Sequence, residues 1–312
     1  MVSVVIMLIA FVSDLTFGAA PLTPVLTLPN NTWQDSYTRA QQQPTLDTLE
    51  QGGVIFLPQL RFGLQDHETA FLSPDTVDAS KNVNFDINTD RLRGTRLEGV
   101  GAEQLKAMIK RFALDSKQLL QHLLPDYQSH LIQARTSYRP VEIKGRPSSW
   151  RKDDTRLHVD SFPSSPVRER RILRVFSNIN PNGQPRAWRL GDSFENVAQR
   201  YLPAIAKPIW GSSQLLHWLH VTKSRRSAYD HYMLQLHDRM KADLDYQKQA
   251  AQMAFNFPPG STWVVYTDQV SHAAMGGQYL LEQTFYLPVA AMSQPERSPL
   301  RTLERMTGQA LV

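Results

Sequence analysis

The chain has 312 residues, 41% of them hydrophobic and 20% charged, an ordinary globular composition for one large domain or two small ones. It contains no cysteine, which excludes disulfides, Cys-ligated zinc, iron–sulfur clusters and cysteine nucleophiles. The net charge of +5 favours anionic ligands, but there is no RNP motif, zinc finger or long basic block, so nucleic acid is not expected as a partner.

The chain opens on MVSVVIMLIAFVSDLTFGAA, with an apolar run from Val4 to Val12. That run is too short to span a bilayer and lacks a basic start, so it reads as a membrane-touching segment or as sequence upstream of the true start rather than an export signal. Residues 1–45 form an N-terminal arm, extended and with little helix over 14–45. LDTLEQGGVIFLP (46–58) predicts a short helix, a Gly-Gly stop and a buried strand. Residues 63–98 are polar and turn-rich. Residues 101–127 carry Leu105, Met108, Ile109, Phe112, Leu119, Leu120, Leu123 and Leu124 at helical spacing, with a break expected near Asp115-Ser116 and an end at Pro125.

Residues 135–156 are strongly basic and read either as a solvated face or as an anion-binding wall. RRILRVFSNIN (170–180) is a β-type run, and Pro-Asn-Gly after it is a turn signal. Residues 213–250 are a helical insert in which Met233, Leu236 and Met240 share a face. His217, His220, His231 and His237 in that insert read as surface or packing residues. STWVVY and LLEQTFYLP are two further β-type runs, and the polar tail 291–312 reads as loosely ordered. The expected architecture is mainly β with helices packed outside. A double-stranded β-helix, or jelly roll, spans 46–290 with helical inserts at 101–136 and 213–250.

The stretch RLHVDSFPSSP holds His158-Val159-Asp160. In a strand, residues two apart face the same way, so His158 and Asp160 can hold one metal from one side. The third arm is assigned to His272, between the two later β-type runs. Two His and one carboxylate leave the opposite face open, as in non-haem Fe(II) oxygenases. An iron that activates O2 without haem or flavin needs an electron source, and 2-oxoglutarate supplies one. Its distal carboxylate needs a buried cation, and an Arg inside an apolar strand is expensive unless paired. Arg174 is the first choice for that cosubstrate and Arg171 the second, with Asn178 and Gln283 as further polar contacts. The competing reading pairs Arg174 with a protein carboxylate.

Three blocks are more specific than the HxD…H pattern. They are KDDTRLHVDSFPSSPVRERRILRVFSNINPNGQPRAWRLGDSFE, YDHYMLQLHDRMKAD and VYTDQVSHAAMGGQYLLEQTFYLP. They resemble the Kdo hydroxylase family over roughly residues 45–290, by position of these blocks. The resemblance implies an Fe(II)/2-oxoglutarate dioxygenase that hydroxylates carbon 3 of 3-deoxy-D-manno-oct-2-ulosonic acid (Kdo) in the lipopolysaccharide inner core. It implies His158, Asp160 and His272 as iron ligands and Kdo-lipid A as substrate. Arg146, Arg151, Arg156 and Arg186 are the candidates for pinning the Kdo carboxylate. Trp150, Trp188, Trp210 and Trp218 could touch a membrane surface or simply be core. An enzyme of the same chemistry on another acidic or lipid-linked substrate, or a non-catalytic jelly-roll binding module, are the alternatives.

Overall fold

The computed structural model describes residues 23–145, 148–208, 218, 222 and 224–312. Eight strands form the main sheet in the order β1 (Val25–Thr27), β2 (Val54–Leu57), β9 (Thr262–Tyr266), β6 (Arg170–Asn178), β11 (Leu280–Pro288), β5 (Ile132–Arg139), β3 (Val83–Asp86) and β4 (Arg91–Arg93). A smaller sheet pairs β10 (His272–Gly276), β7 (Arg186–Leu190) and β8 (Met253–Phe257). The two sheets make the expected jelly-roll core. Helices α1 (Arg39–Glu50), α2 (Gly99–Leu123), α3 (Phe194–Tyr201), α4 (Ala228–Ala242), α5 (Leu244–Gln249) and α6 (Pro299–Thr307) accompany it.

The strands at the centre of the main sheet are buried on both faces. β6 lies between β9 and β11, and its apolar run is therefore nearly continuous rather than alternating. Leu173 and Val175 join the larger apolar core, which also takes in the buried stripe of α2. Phe176 turns the other way, into the space between the sheets, beside Trp188, Phe257 and Trp263. There Phe257 stacks on Trp263 with ring centroids 3.9 Å apart, and Phe176 flanks Trp263 at 5.1 Å. This aromatic packing fills the inter-sheet space and fixes the two sheets against each other.

Three local expectations change. α2 runs unbroken from Gly99 to Leu123, because Ser116 fits the buried stripe and the neighbouring Asp115 falls on a more accessible face. It stops where predicted, ahead of Pro125. The N-terminal arm contributes to the core through Leu28, Trp33 and Tyr37, and α1 begins at Arg39, earlier than the sequence suggested. The tail is also ordered. Ser298 caps α6, Pro299 takes its first turn, and Leu300, Leu303 and Leu311 are buried. A buried carboxylate secures it, since Glu50 accepts the backbone N–H of Ser293 and Gln294 and the Tyr127 hydroxyl. The start of the chain, residues 1–22, lies outside the described residues, and with it the apolar run.

Candidate metal centre

His158 and His272 are brought together by backbone pairing. Each donates its N–H to the other's carbonyl, at 3.0 and 2.9 Å, an antiparallel pair at the edge of the small sheet. Directly opposed residues put their side chains on one face, so the imidazoles meet with centroids 4.6 Å apart. Asp160, two residues on, joins them, and its own N–H is anchored on the Thr267 carbonyl. One donor atom from each of the three lies within 4.8 Å of the others. His158 Nε2 sits 3.7 Å from Asp160 Oδ1.

The donor set fits a divalent transition metal. His158 Nδ1 contacts the Arg156 carbonyl at 2.7 Å and His272 Nδ1 the Val270 carbonyl at 2.8 Å. Those contacts place the proton on Nδ1 and leave each Nε2 with its lone pair toward the centre. Burial pushes both imidazoles below the usual histidine range, so each is neutral, the ligating form. Burial works against the Asp160 carboxylate, but Arg174, His272 and His158 outweigh it and hold it well below the usual range. Trp188 stacks on the His272 ring at 5.0 Å, fixing its plane.

Arg174 lies among carboxylates. Its Nη2 is 3.0 Å from Asp160 Oδ2, and its Nη1 is 3.0 Å from Glu282 Oε1. Glu282 in turn binds Arg139 at 2.7 Å. The protein-carboxylate reading of Arg174 is therefore the one the geometry favours. Arg171 occupies the opposite face of β6. It is fully buried, bidentate on Asp268 at 2.7 and 3.3 Å, bonded to Gln269 at 2.6 Å, and packed over Tyr266. Such a guanidinium has no capacity left for a cosubstrate. Replacing one partner of this pair, as in Arg171→Met, should destabilise the fold by about 3–5 kcal/mol, because a lone buried charge remains. Chemical denaturation checks this; an intact stability with lost 2-oxoglutarate binding would return Arg171 to the site.

Asn178 and Gln283 also serve the scaffold. Asn178 donates to the Gln184 and Phe257 carbonyls and accepts from Asn180 N–H. Gln283 accepts from Thr136 and donates to the Ala134 and Thr284 carbonyls. Of the four arginines expected to face substrate, Arg146 lies outside the described residues. Arg151 is largely exposed, paired with Asp238 at 3.0 Å and laid over Trp150. Arg156 is held by Asp153 and the Lys241 carbonyl.

Arg186 is the exception. It is 4% exposed and projects between the sheets, on the same face of β7 as Trp188. Its Nη1 donates to the Gly277 carbonyl at 2.8 Å, its Nε has no partner, and no carboxylate lies within ion-pair distance among the described residues. Burial, with Arg139 nearby, pushes it down to about 9. Gly277 permits this position. Its φ is +111°, and a Cβ there would come 3.0 Å from the Arg186 side chain.

One neighbour of the triad was missed. His237 on α4 meets the His158 ring edge-on at 5.4 Å, and its Nδ1 is 3.0 Å from Asp238. Lys241, one turn further, is buried with its ammonium 3.2 Å from the Arg151 carbonyl. Met233, His237 and Met240 are buried on α4 at helical spacing, a signal that could have placed His237 inward. His217, His220 and Trp210 lie outside the described residues, while Trp218 is exposed.

The model of the 3-deoxy-D-manno-oct-2-ulosonic acid (Kdo) hydroxylase family matches residues 32–310. The chain belongs to the Kdo hydroxylase family. Among solved structures it is similar to the Kdo hydroxylase KdoO, a non-haem Fe(II) α-ketoglutarate-dependent dioxygenase. The KdoO complex with α-ketoglutarate and Fe(III) superposes with a TM-score of 0.90 at 48% identity, covering 93% of this chain and 98% of that one. The apo form gives 0.91 at the same identity and coverage, as does the cobalt(II) complex. No curated protein sequence matches the chain.

Proposed function

We propose that this Kdo hydroxylase uses Fe(II), 2-oxoglutarate (α-ketoglutarate) and O2 to place a hydroxyl on carbon 3 of a Kdo unit carried by lipid A. The observation that carries the reading is the triad itself, in a chain of this family: two imidazoles and one carboxylate bring their donor atoms within 4.8 Å of one another, a set that would fill three positions of an iron and leave the others for cosubstrate and O2. His158 and His272, through Nε2, and Asp160, through Oδ1, hold the iron. When bound, iron with 2-oxoglutarate and O2 supplies the oxidant that an unactivated C–H bond requires.

The chain's own residues bind, orient and insulate. Arg174 engages the second oxygen of Asp160 and directs the first toward the metal. Arg186, a buried cation lacking an acid, takes the distal carboxylate of 2-oxoglutarate. This replaces Arg174 and Arg171 in that role. Trp188 lies between Arg186 and His272 along the small sheet and keeps water out of that path. α4 approaches the triad with His237 and Lys241, and positions the sugar so that carbon 3 is the atom presented.

No helix among the described residues is long and apolar enough to cross a membrane. A lipid-borne substrate calls for contact with the membrane surface, and the cytoplasmic face of the inner membrane is the proposed location. The test is expression in a Gram-negative host lacking this activity. Its Kdo-lipid A should gain one oxygen atom by mass spectrometry, and succinate should accumulate with the product. An unchanged lipid, with iron-loaded protein that still decarboxylates 2-oxoglutarate, would remove Kdo as the substrate and keep the oxygenase chemistry.

A further inference from the structure

The face of the main sheet that carries Arg174 and Glu282 continues outward across β5, β3 and β4. There Arg91, Arg93 and Arg135 line a hollow of about 170 Å³, with Asn84, Phe85, Asp86 and Thr89 completing its wall. Register explains the convergence. Arg93 opposes Asn84 and Arg91 opposes Asp86, while Asn84 opposes Ser137 on the other side. Val83 and Phe85 point the other way, into the core with α2.

The three arginines differ from their neighbours. Arg139 on the same strand is bound to Glu282, and Arg111 to Glu68. Arg91, Arg93 and Arg135 have no carboxylate within ion-pair distance among the described residues. The one acid in the hollow, Asp86, accepts the Asn88 N–H of its own turn. Asp86 offsets one of the three charges, and the hollow keeps a net positive charge that an incoming anion would meet.

The cluster is also continuous with the metal site. Tyr286 stands between them on β11, the strand between β6 and β5, two residues beyond Thr284, which opposes Arg174, and so on the Arg174 face. β5 is two strands from β6 and β4 is four. At about 4.8 Å per strand, the cluster begins roughly 10 Å from the Arg174 strand and ends roughly 19 Å away.

We propose that Arg91, Arg93 and Arg135 seat a second anionic group of the substrate, a phosphate monoester lying roughly 10–20 Å along the sheet from the strand that carries Arg174. Guanidinium groups from two strands suit a tetrahedral dianion, which offers three oxygens to separate forks. The inference rests on the reading that the substrate is a Kdo-bearing glycolipid. It adds that the enzyme recognises the phosphorylated carrier as well as the sugar.

The test uses the full chain and the triple variant Arg91→Gln, Arg93→Gln, Arg135→Gln, all at exposed positions. Turnover is measured on a short-acyl Kdo-bearing disaccharide glycolipid with its phosphates and on the same molecule without them. The triple variant should raise KM about tenfold or more on the phosphorylated substrate, equivalent to about 1.4 kcal/mol. It should leave kcat unchanged, and leave KM unchanged on the dephosphorylated one. In a second arm without iron, calorimetry follows binding of a disaccharide bisphosphate lacking Kdo, and of inorganic phosphate. Wild type should bind the disaccharide bisphosphate more tightly than inorganic phosphate, and the variant should lose that binding. Equal binding by both proteins, or an equal KM rise on both substrates, overturns the seat. Inorganic phosphate binding as tightly as the disaccharide bisphosphate also overturns it. If wild type hydroxylates no Kdo substrate yet binds the bisphosphate through these arginines, the seat stands and the Kdo reading falls.

Discussion

His158→Ala, Asp160→Ala and His272→Ala should each abolish turnover, a loss larger than the roughly 10–100-fold that outer-shell changes around a metal produce. Removing one of three arms leaves two donors, too few to define the open face on which cosubstrate and O2 must meet. The fold should survive. The imidazoles bond through Nδ1 only to backbone carbonyls of their own segments, and the His158–His272 pairing is made by the backbone. Asp160→Asn is the better carboxylate variant, because Asp160→Ala would leave the buried Arg174 with Glu282 alone. Arg174→Ala should fall in the 10–100-fold class, weakening metal affinity through Asp160. The measurements are Fe(II) or Co(II) binding by absorption, succinate release and the melting temperature. Full activity in any one of the three alanine variants takes that residue out of the centre.

Much of this centre was legible from the chain alone, for a geometric reason. Alternation along an extended segment places His158 and Asp160 on one side wherever the segment lies, and His272 precedes a buried strand that must return to the same barrel. What stayed hidden was strand register. Arg174 was recognisable as a cation in an apolar strand that needs an anion, but nothing local says that Glu282 on β11 and Asp160 will both reach it. Arg171 carries the same signal three residues earlier. The two are separated by which face of β6 they leave, and by Asp268, which lies in a loop after β9. Arg186 follows a Pro-Asn-Gly turn, and the sequence offers it only as one of four candidates for the sugar carboxylate. Only the pairing of β7 with β8 and β10 turns its face inward. The helical tail was missed although Ser298-Pro299 with Leu300 and Leu303 is a start signal with an apolar pair.

Arg186→Ala should raise the 2-oxoglutarate requirement steeply while leaving iron binding near normal. Truncating one partner of a buried charge pair costs about 2–5 kcal/mol, roughly a 30-fold to several-thousand-fold loss of affinity. The position argues for the cosubstrate over the sugar. Leu190 opposes His272 across the small sheet, and Arg186 lies four residues back along the same strand, about 13 Å of extended backbone. The Arg186 side chain spans part of that interval, and a short dicarboxylate reaching inward from the metal spans the rest. Arg139 lies close enough to lower Arg186 further, so an anion between the sheets would relieve both burial and repulsion. Arg186→Lys should recover only part of the affinity, since an ammonium cannot form the two parallel bonds of a guanidinium fork. Arg174→Ala supplies the contrast, because its main effect should fall on the metal. Anaerobic titration of the iron-loaded variants with 2-oxoglutarate, read by the metal-to-cosubstrate absorption band, separates the two. Normal 2-oxoglutarate affinity in Arg186→Ala with a large loss in Arg174→Ala would move the distal carboxylate to β6, and would leave the lone charge of Arg186 to be matched by the carboxylate of the sugar.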